Sequence, residues 1–427
     1  MIKGNKPGKI MLLLGDIALL YGALFLTLLI RYGSFPTQVL WQDHNLPFLF
    51  VNLVWLIIFY IAGLYDVEKS VHPAKIFYIA KTMAFGAGIA VLMFYFIPAF
   101  GITPKTNLFI DATVASILLW LWRVAYQKII TKGSKIKIFF FNSSDETLSF
   151  AKFIAASPQL GYEMAGNLAS ADLIIISGKE KIPEESAKIL YEMVMKGKTV
   201  IEFYRFYEST TGKIPVPLIG ESWFLENVIE LDKRKFEQIK RFVDIILAVL
   251  FFIPFALLAP FAALAIKTTS RGNIFYKQKR LGKNGKIFEI IKFRSMASDA
   301  EKDGAKWAER GDKRVTAVGK FLRKMRLDEL PQILSVLKGD LSFVGPRPER
   351  PEFAGELSQK IPYYPMRHIV KPGLSGWAQI NFPYGSSIDD SMQKLQYDLY
   401  YIKNRSLILE AIIILKTIMT VLRIEGR

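Results

Sequence analysis

The run FVDIILAVLFFIPFALLAPFAALAI, Phe242–Ile266, is 25 residues of almost unbroken apolar character with Pro254 and Pro260 inside it. As a helix it is long enough to cross the hydrocarbon core of a bilayer, which takes ~20 residues. A crossing would separate everything after Ile266 from everything before Phe242. The flanks argue against that. Lys233, Arg234, Lys235, Lys240 and Arg241 precede the run, and Lys267, Arg271, Lys277, Lys279 and Arg280 follow it. Lys and Arg accumulate on the cytoplasmic side of membrane segments, so both flanks read as cytoplasmic. Pro254 lacks the amide hydrogen that a helix interior uses, and its ring clashes with the preceding turn. A re-entrant helix over 242–266, broken at Pro254 and leaving by the leaflet it entered, reconciles length with charge. A fifth straight span, its prolines accommodated by neighbouring helices, is the competing reading.

Upstream, four more apolar stretches fill the first third of the chain: Ile10 to Ile30, Leu46 to Leu64, Ile76 to Phe100 and Leu108 to Gln127. Each is close to a membrane span in length. The first is too long and too uniformly apolar for a cleavable signal peptide, with no small-residue cleavage site after it. Lys3, Lys6 and Lys9 precede it, and Arg123, Lys128, Lys132, Lys135 and Lys137 lie at or beyond the end of the fourth. Both ends therefore face the cytoplasm. Arg31 and Lys105 are nearly alone in the first and third loops, and Lys69 and Lys75 lie in the second, which fits the same orientation. Asp16 lies within two turns of the cytoplasmic end of the first stretch. Although an intramembrane carboxylate suggests function by default, that position favours a solvated or paired structural role.

Composition agrees with a chain partly in lipid. Of its 427 residues 51% are hydrophobic and 22% charged, which excludes disordered and collagen-like classes. The formal charge of +18 suits anionic lipid head groups, nucleic acid or phosphorylated substrates. With no Cys and only His44, His72 and His368, disulfides and Cys/His zinc or iron–sulfur sites lack ligands. A metal here would be a hard cation bound through oxygen. A basic nucleic-acid binder would need cations and aromatics on a soluble surface; here many of the cations flank apolar stretches, so the expected partner is membrane lipid and not nucleic acid.

From Lys135 to Asp232 short apolar runs alternate with amphipathic ones: Ile136 to Phe141, Leu148 to Ala156, Ala171 to Ser177, Ala187 to Met195 and Thr199 to Phe203. This rhythm predicts a small βαβ module with a parallel sheet. Its first strand runs into Asn142-Ser143-Ser144, without the glycines a dinucleotide site needs, so a structural or regulatory module is expected. The predicted architecture is an α/β membrane protein: a four-helix transmembrane bundle (1–134), a degenerate Rossmann-like module (135–232), and a membrane-anchored α/β catalytic domain (233–427) with the re-entrant helix.

In the last part, Asn273 to Gln278 and Lys286 to Lys292 are strand-like and joined through Lys283-Asn284-Gly285, a strong hairpin signal. The period of two then puts Lys292 and Arg294 on one face. Leu407 to Leu422, interrupted by Glu410 and Lys416, reads as an amphipathic helix on the membrane surface or as a core helix.

The chemistry-bearing stretch is Arg323-Lys324-Met325-Arg326-Leu327-Asp328-Glu329-Leu330-Pro331-Gln332. Pro331 biases Leu330 away from helix, so Asp328 and Glu329 sit at an element boundary where both can point into a cleft. Two carboxylates among cations suit a site that holds a divalent metal together with a pyrophosphate, and a carboxylate can attack phosphorus. Taken alone, the stretch also reads as an ion-paired helix end. Its neighbours tilt the balance: Val344-Gly345-Pro346-Arg347-Pro348 fixes an Arg between two prolines, which lowers the entropy lost on gripping a phosphate, and Lys371-Pro372-Gly373 is a second rigid turn.

These motifs carry a resemblance. Lys240-Arg241 with Asp244, Gln278-x-Arg280-x-Gly282, Lys292-Phe293-Arg294-Ser295-Met296, Leu327 to Gln332, Leu337-Lys338-Gly339-Asp340, Val344 to Pro348 and Lys371 to Gln379 together resemble the bacterial sugar transferase family, the monotopic phosphoglycosyl transferases. The N-terminal helices and Rossmann-like module resemble its large undecaprenyl-phosphate galactose or glucose phosphotransferases. The resemblance implies transfer of a sugar 1-phosphate from a UDP-sugar to polyprenyl (undecaprenyl) phosphate at the cytoplasmic face of the bacterial inner membrane. It further implies Asp328 as nucleophile, Glu329 as the ligand of Mg²⁺ beside it, Lys292, Arg294, Arg323 and Arg347 as phosphate-binding residues, and a homodimer as one assembly. The chain departs from the family at Ile253, where Ser is frequent, at Ile333-Leu334-Ser335, and at Phe382-Pro383-Tyr384-Gly385, where Gly-Arg often follows Asn381. The rival expectation is a catalytically idle scaffold of polysaccharide assembly.

Overall fold

A computed structural model describes residues 6–65, 76–96, 105–132, 135–176, 183–227, 233–270, 272–297, 300, 312, 314–382, 385 and 387–422. The loop with Lys69 and Lys75, together with Lys3, Arg271 and Pro383-Tyr384, lies outside the described residues. The chain divides into two compact units, Met1–Phe206 and Tyr207–Arg427.

The first unit begins with α1 (Lys6–Tyr32), α2 (Gln38–Ile61), α3 (Ile76–Phe96) and α4 (Lys105–Lys132). They share one apolar core, with Leu20, Leu24 and Leu28 of α1 against Trp55 and Phe59 of α2, Met83 and Ala90 of α3 and Ala115 and Leu119 of α4. Each of the four contains a run long and apolar enough to cross a membrane. Helix α2 starts at Gln38, before the apolar run, because the Thr37 side chain caps it by accepting from the Leu40 amide at 3.3 Å. The expected pairing of Asp16 is present: Arg123 of α4 donates to it at 2.8 Å, with both side chains buried. At the other end, Thr27 donates to Asp111 and Asn107 bonds to His44, again joining helices through polar groups.

The βαβ rhythm gives β1 (Ile136–Phe141), α5 (Asp145–Ala155), β2 (Tyr162–Met164), β3 (Leu173–Ile176), α6 (Glu184–Met195) and β4 (Thr199–Glu202). The sheet is parallel, in the order β2-β1-β3-β4. The loop after β1 is used up in capping: the Ser144 and Thr147 side chains each accept from the other's amide at the start of α5. Helix α7 (Phe203–Thr211) contains the division between the units.

Within the second unit, the segment from Tyr207 through α8 (Glu221–Asn227) packs on the C-terminal part of the chain. Tyr207 donates to Gln396, Glu208 pairs with Lys403 at 2.6 Å, and the Gly212 carbonyl accepts from the Trp377 indole. Next comes α9 (Arg234–Thr269), which is helical without interruption and has Pro254 and Pro260 inside it. The break expected at Pro254 is therefore not an end of the helical run. This helix has two faces. Lys240, Asp244, Ala248, Phe255 and Ile266 are buried, whereas Val249, Leu250, Ile253, Leu257, Phe261 and Leu264 are exposed, at 67% for Leu257 and 72% for Phe261. Spacings of three and four residues put each set on its own stripe.

The buried stripe meets the antiparallel hairpin of β5 (Phe275–Leu281) and β6 (Ile287–Phe293), turned at Asn284 and Gly285, both with φ above zero. It also meets α10 (Ala317–Lys324) and α11 (Ile333–Lys338), in a core of Ala248, Phe255, Phe288, Phe293, Leu322, Val336 and Leu341. Burying such a Phe or Leu contributes about 1.5–3 kcal/mol each. The unit closes with β7 (Ser342–Val344), α12 (Pro351–Lys360), a 3-10 turn Tyr364–His368, β8 (Gly373–Ser375), α13 (Trp377–Asn381), α14 (Ile388–Asn404) and α15 (Leu407–Leu422). In α15, Leu409, Glu410 and Ile413 are buried and Ile408 is exposed, so one face joins the core.

Candidate active site

Asp328 and Glu329 lie in a 3-10 turn, Leu327–Gln332, entered from α10 through Arg326, whose φ of 56° is left-handed. That conformation costs a residue with a side chain about 1 kcal/mol or more. It separates α10 from the turn, at the boundary that Pro331 implied. Asp328 is buried, at 8% exposure. Burial pushes its carboxyl above the ordinary value and the neighbouring Glu329 charge adds to this, against the pull of Lys292, Arg323 and Arg326. For Glu329 burial acts in the same sense, but Lys292, Arg347 and Arg326 outweigh it and hold the carboxyl well below the usual range. The two adjacent acids are thus pushed apart, one towards its neutral form and one firmly ionised.

The geometry explains the asymmetry. Glu329 Oε1 accepts from Lys292 Nζ at 2.9 Å and from Arg347 Nη2 at 3.0 Å, while Arg326 lies 4.0 Å from Oε2. Lys292 comes from the end of β6. Burial lowers the pKa of its ammonium, with Glu329 opposing. Arg347 comes from the turn after β7, where β7 and β8 pair in parallel and the two chains approach closely. A Cβ on Gly345 would stand 2.4 Å from the Lys371 carbonyl oxygen, and one on Gly373 would stand 2.1 Å from the Gly345 amide nitrogen, so both positions require glycine.

Of the cations singled out from sequence, Lys292 and Arg347 converge on Glu329. Arg294 and Arg323 make different bonds. Arg294 donates to the carbonyl and hydroxyl of Ser270 at the C-terminal end of α9. Arg323 donates to Ser295 at 2.9 Å, although its charge still reaches Asp328. A shallow, open cleft is lined by Lys292 and Arg347 together with Arg280, Gln332, Pro348 and Leu374. Arg280 and Gln332 are not among the expected site residues, although they belong to the Gln278-x-Arg280-x-Gly282 and Leu327–Gln332 motifs. Burial lowers the pKa of Arg280 to about 10, the charge of Arg347 adds to this, and its guanidinium donates to the Pro348 carbonyl. A cleft with three cations in its wall, beside two carboxylates, suits a pyrophosphate and a divalent cation.

Residues 235–424 match the family described as bacterial sugar transferase. Over 350 residues the chain is 30% identical to a Klebsiella pneumoniae UDP-glucose:undecaprenyl-phosphate glucose-1-phosphate transferase, covering 72% of this chain and 75% of that one. The chain belongs to the bacterial sugar transferase family. An Aeromonas hydrophila member of this transferase family, a UDP-N-acetylgalactosamine-undecaprenyl-phosphate N-acetylgalactosaminephosphotransferase, is 49% identical over 215 residues, half of each chain. A Caulobacter vibrioides member, named UDP-glucose:undecaprenyl-phosphate glucose-1-phosphate transferase, is 40% identical over 189 residues, 44% of this chain and 71% of that one. The match thus spans about half the length of the Aeromonas sugar transferase. The candidate site lies wholly inside the part matched by the family.

Proposed function

We propose that this protein transfers a sugar 1-phosphate from a UDP-sugar to undecaprenyl phosphate at the cytoplasmic face of the bacterial inner membrane, the first step of exopolysaccharide, capsule or O-antigen synthesis. The observation that carries the reading is the Asp328–Glu329 pair, one acid buried and the other held ionised by Lys292 and Arg347, beside a cation-lined cleft. In the proposed reaction Asp328 acts as its carboxylate, the form favoured by the charges of Lys292, Arg323 and Arg326, and one of its oxygens attacks the sugar-bearing phosphorus. The new Asp–O–P bond forms as the P–O–P bond to UMP breaks and UMP leaves with that electron pair. An oxygen of undecaprenyl phosphate then attacks the same phosphorus, and the Asp328 carboxylate leaves. Lys292, Arg347 and Arg280 line the place where phosphate charge would sit. Glu329, with Asp328, would hold Mg²⁺; adjacent acids of which one stays anionic are a donor set that suits a cation keeping phosphate oxygens as its other ligands. When bound, the ion would neutralise phosphate charge.

The membrane arrangement proposed with it has α9 re-entrant. In support, one module grips both ends of this helix. Asp244 accepts from the Phe343 amide near the start, and Ser270 accepts from Arg294 at the end, while the exposed stripe between them is apolar. Attachment of both ends to one module supports a helix that enters and leaves by the same leaflet.

The test is UMP release by detergent-purified protein with Mg²⁺ and undecaprenyl phosphate across a panel of UDP-sugars, glucose and N-acetylgalactosamine included. Release that needs both the lipid acceptor and Asp328 supports the proposal. Silence from folded protein across the panel would favour a scaffold.

A further inference from the structure

The turn carrying Arg347 is held from outside itself through its carbonyls. Pro346 and Pro348 have no amide hydrogen to give, so this stretch is poor in donors that could close it locally. Instead its carbonyls accept from elsewhere in the unit: Val344 from Lys240 and Tyr401, Pro346 from the Gly373 amide, Pro348 from Arg280, and Arg347 itself from Arg367 at 3.2 Å. The last contact is different in kind. Arg367 is 6% exposed and forks onto two other segments and its own turn: Nε and Nη2 donate to Asp398 Oδ2 of α14 at 3.1 and 2.7 Å, Nη2 also reaches the Arg347 carbonyl, and Nη1 donates to the Tyr364 hydroxyl within the turn at 2.6 Å. Asp398 is 1% exposed.

A buried ion pair is weak evidence of stabilisation, since apolar packing of the same volume does as well. What apolar packing cannot do is aim a carbonyl. A planar guanidinium fixed by a carboxylate behind it presents its remaining N–H in one direction, and here that direction is the main chain of the residue whose own guanidinium meets Glu329 at 3.0 Å.

We infer that Arg367, oriented by Asp398, is a positioning residue that sets where the Arg347 guanidinium stands over the candidate site. The inference rests on the transferase reading for its activity readout, and it adds a role for a pair that touches neither carboxylate of the dyad. Arg367→Lys keeps the charge beside Asp398 and loses the fork; Tyr364→Phe removes only the hydroxyl on Nη1 and is the milder variant.

The experiment is a double-mutant cycle with Arg347→Ala, read as kcat/KM for UMP release and, separately, as the affinity for UDP in the presence of Mg²⁺. Arg367→Lys is expected to lower kcat/KM about 30-fold and Tyr364→Phe about threefold in the wild-type background, each by less than twofold once Arg347 is already Ala. UDP affinity follows the same pattern, with about a tenfold loss for Arg367→Lys that vanishes in the Arg347→Ala background. A merely structural pair would cost the same factor in both backgrounds, because a smaller folded fraction multiplies through unchanged. Equal losses in both backgrounds, for both variants, overturn the inference while leaving the transferase reading intact. Coupling in UDP affinity without any turnover by wild-type protein keeps the inference and removes that reading. If Arg367→Lys does not fold, the Tyr364→Phe cycle decides alone.

Discussion

Lys292 Nζ stands 2.9 Å from Glu329 Oε1, on the oxygen that Arg347 also reaches. One carboxylate oxygen thereby joins the end of the β-hairpin to the turn after β7 and holds two cations at the wall of the cleft. Removing its charge should release both. Glu329→Gln keeps the size and is expected to lower kcat/KM for UMP release by about 10²–10³-fold, the usual scale for losing a charged partner at a buried site. A loss under fivefold would mean that the charge of Glu329 does no work in turnover.

The pair Asp16–Arg123 predicts a stability effect away from any chemistry. Arg123→Ala leaves a buried carboxylate without its cation, and breaking a buried pair from one side costs about 3–5 kcal/mol. Thermal unfolding in detergent should show a large fall for Arg123→Ala and a substantial recovery in Asp16→Leu/Arg123→Leu. Equal melting temperatures for wild type and Arg123→Ala would contradict a structural role for the pair.

His368 predicts an acid effect. Burial and the neighbouring Arg367 charge push its pKa down from 6.5 to about 4. Above pH 6.5 the ring is neutral folded and unfolded, and contributes no pH dependence. Between about 6.5 and 4 the unfolded chain takes up a proton that the folded chain refuses, so stability falls as the pH falls through this window. The difference in melting temperature between wild type and His368→Gln should therefore shrink or reverse on going from pH 7.5 to pH 4.5. A difference independent of pH would contradict it.

Much of this was legible in the sequence, for reasons that can be named. The apolar stretches, the βαβ rhythm and the Asn284-Gly285 hairpin follow from periodicity and turn chemistry, which are local. Strand β2, Tyr162–Met164, is three residues long and too short to show a period. The partners of Arg294 and Arg323 were not legible because they are set by where Ser270 and Ser295 come to lie, which is tertiary. Likewise Arg367 lies some 40 residues from the dyad in a stretch with no motif signature of its own; only the fold brings it to the Arg347 carbonyl. Pro254 signals a kink by local rules; the helical run continues through it, with Ala248 and Phe255 on its flanks packed on the core.

Topology follows from the re-entrant proposal. Reporter fusions after Arg271 and after Arg427 should both read cytoplasmic, as should one before Phe242. A periplasmic signal at either of the first two would make α9 a spanning helix.

The most direct test of the central claim is intact-protein mass spectrometry of the purified enzyme incubated with its UDP-sugar and Mg²⁺ but without lipid acceptor. A covalent intermediate on Asp328 predicts a gain of one sugar phosphate per chain, absent in Asp328→Asn and discharged when undecaprenyl phosphate is added. Robust turnover with no such adduct, or an adduct that persists in Asp328→Asn, would contradict it.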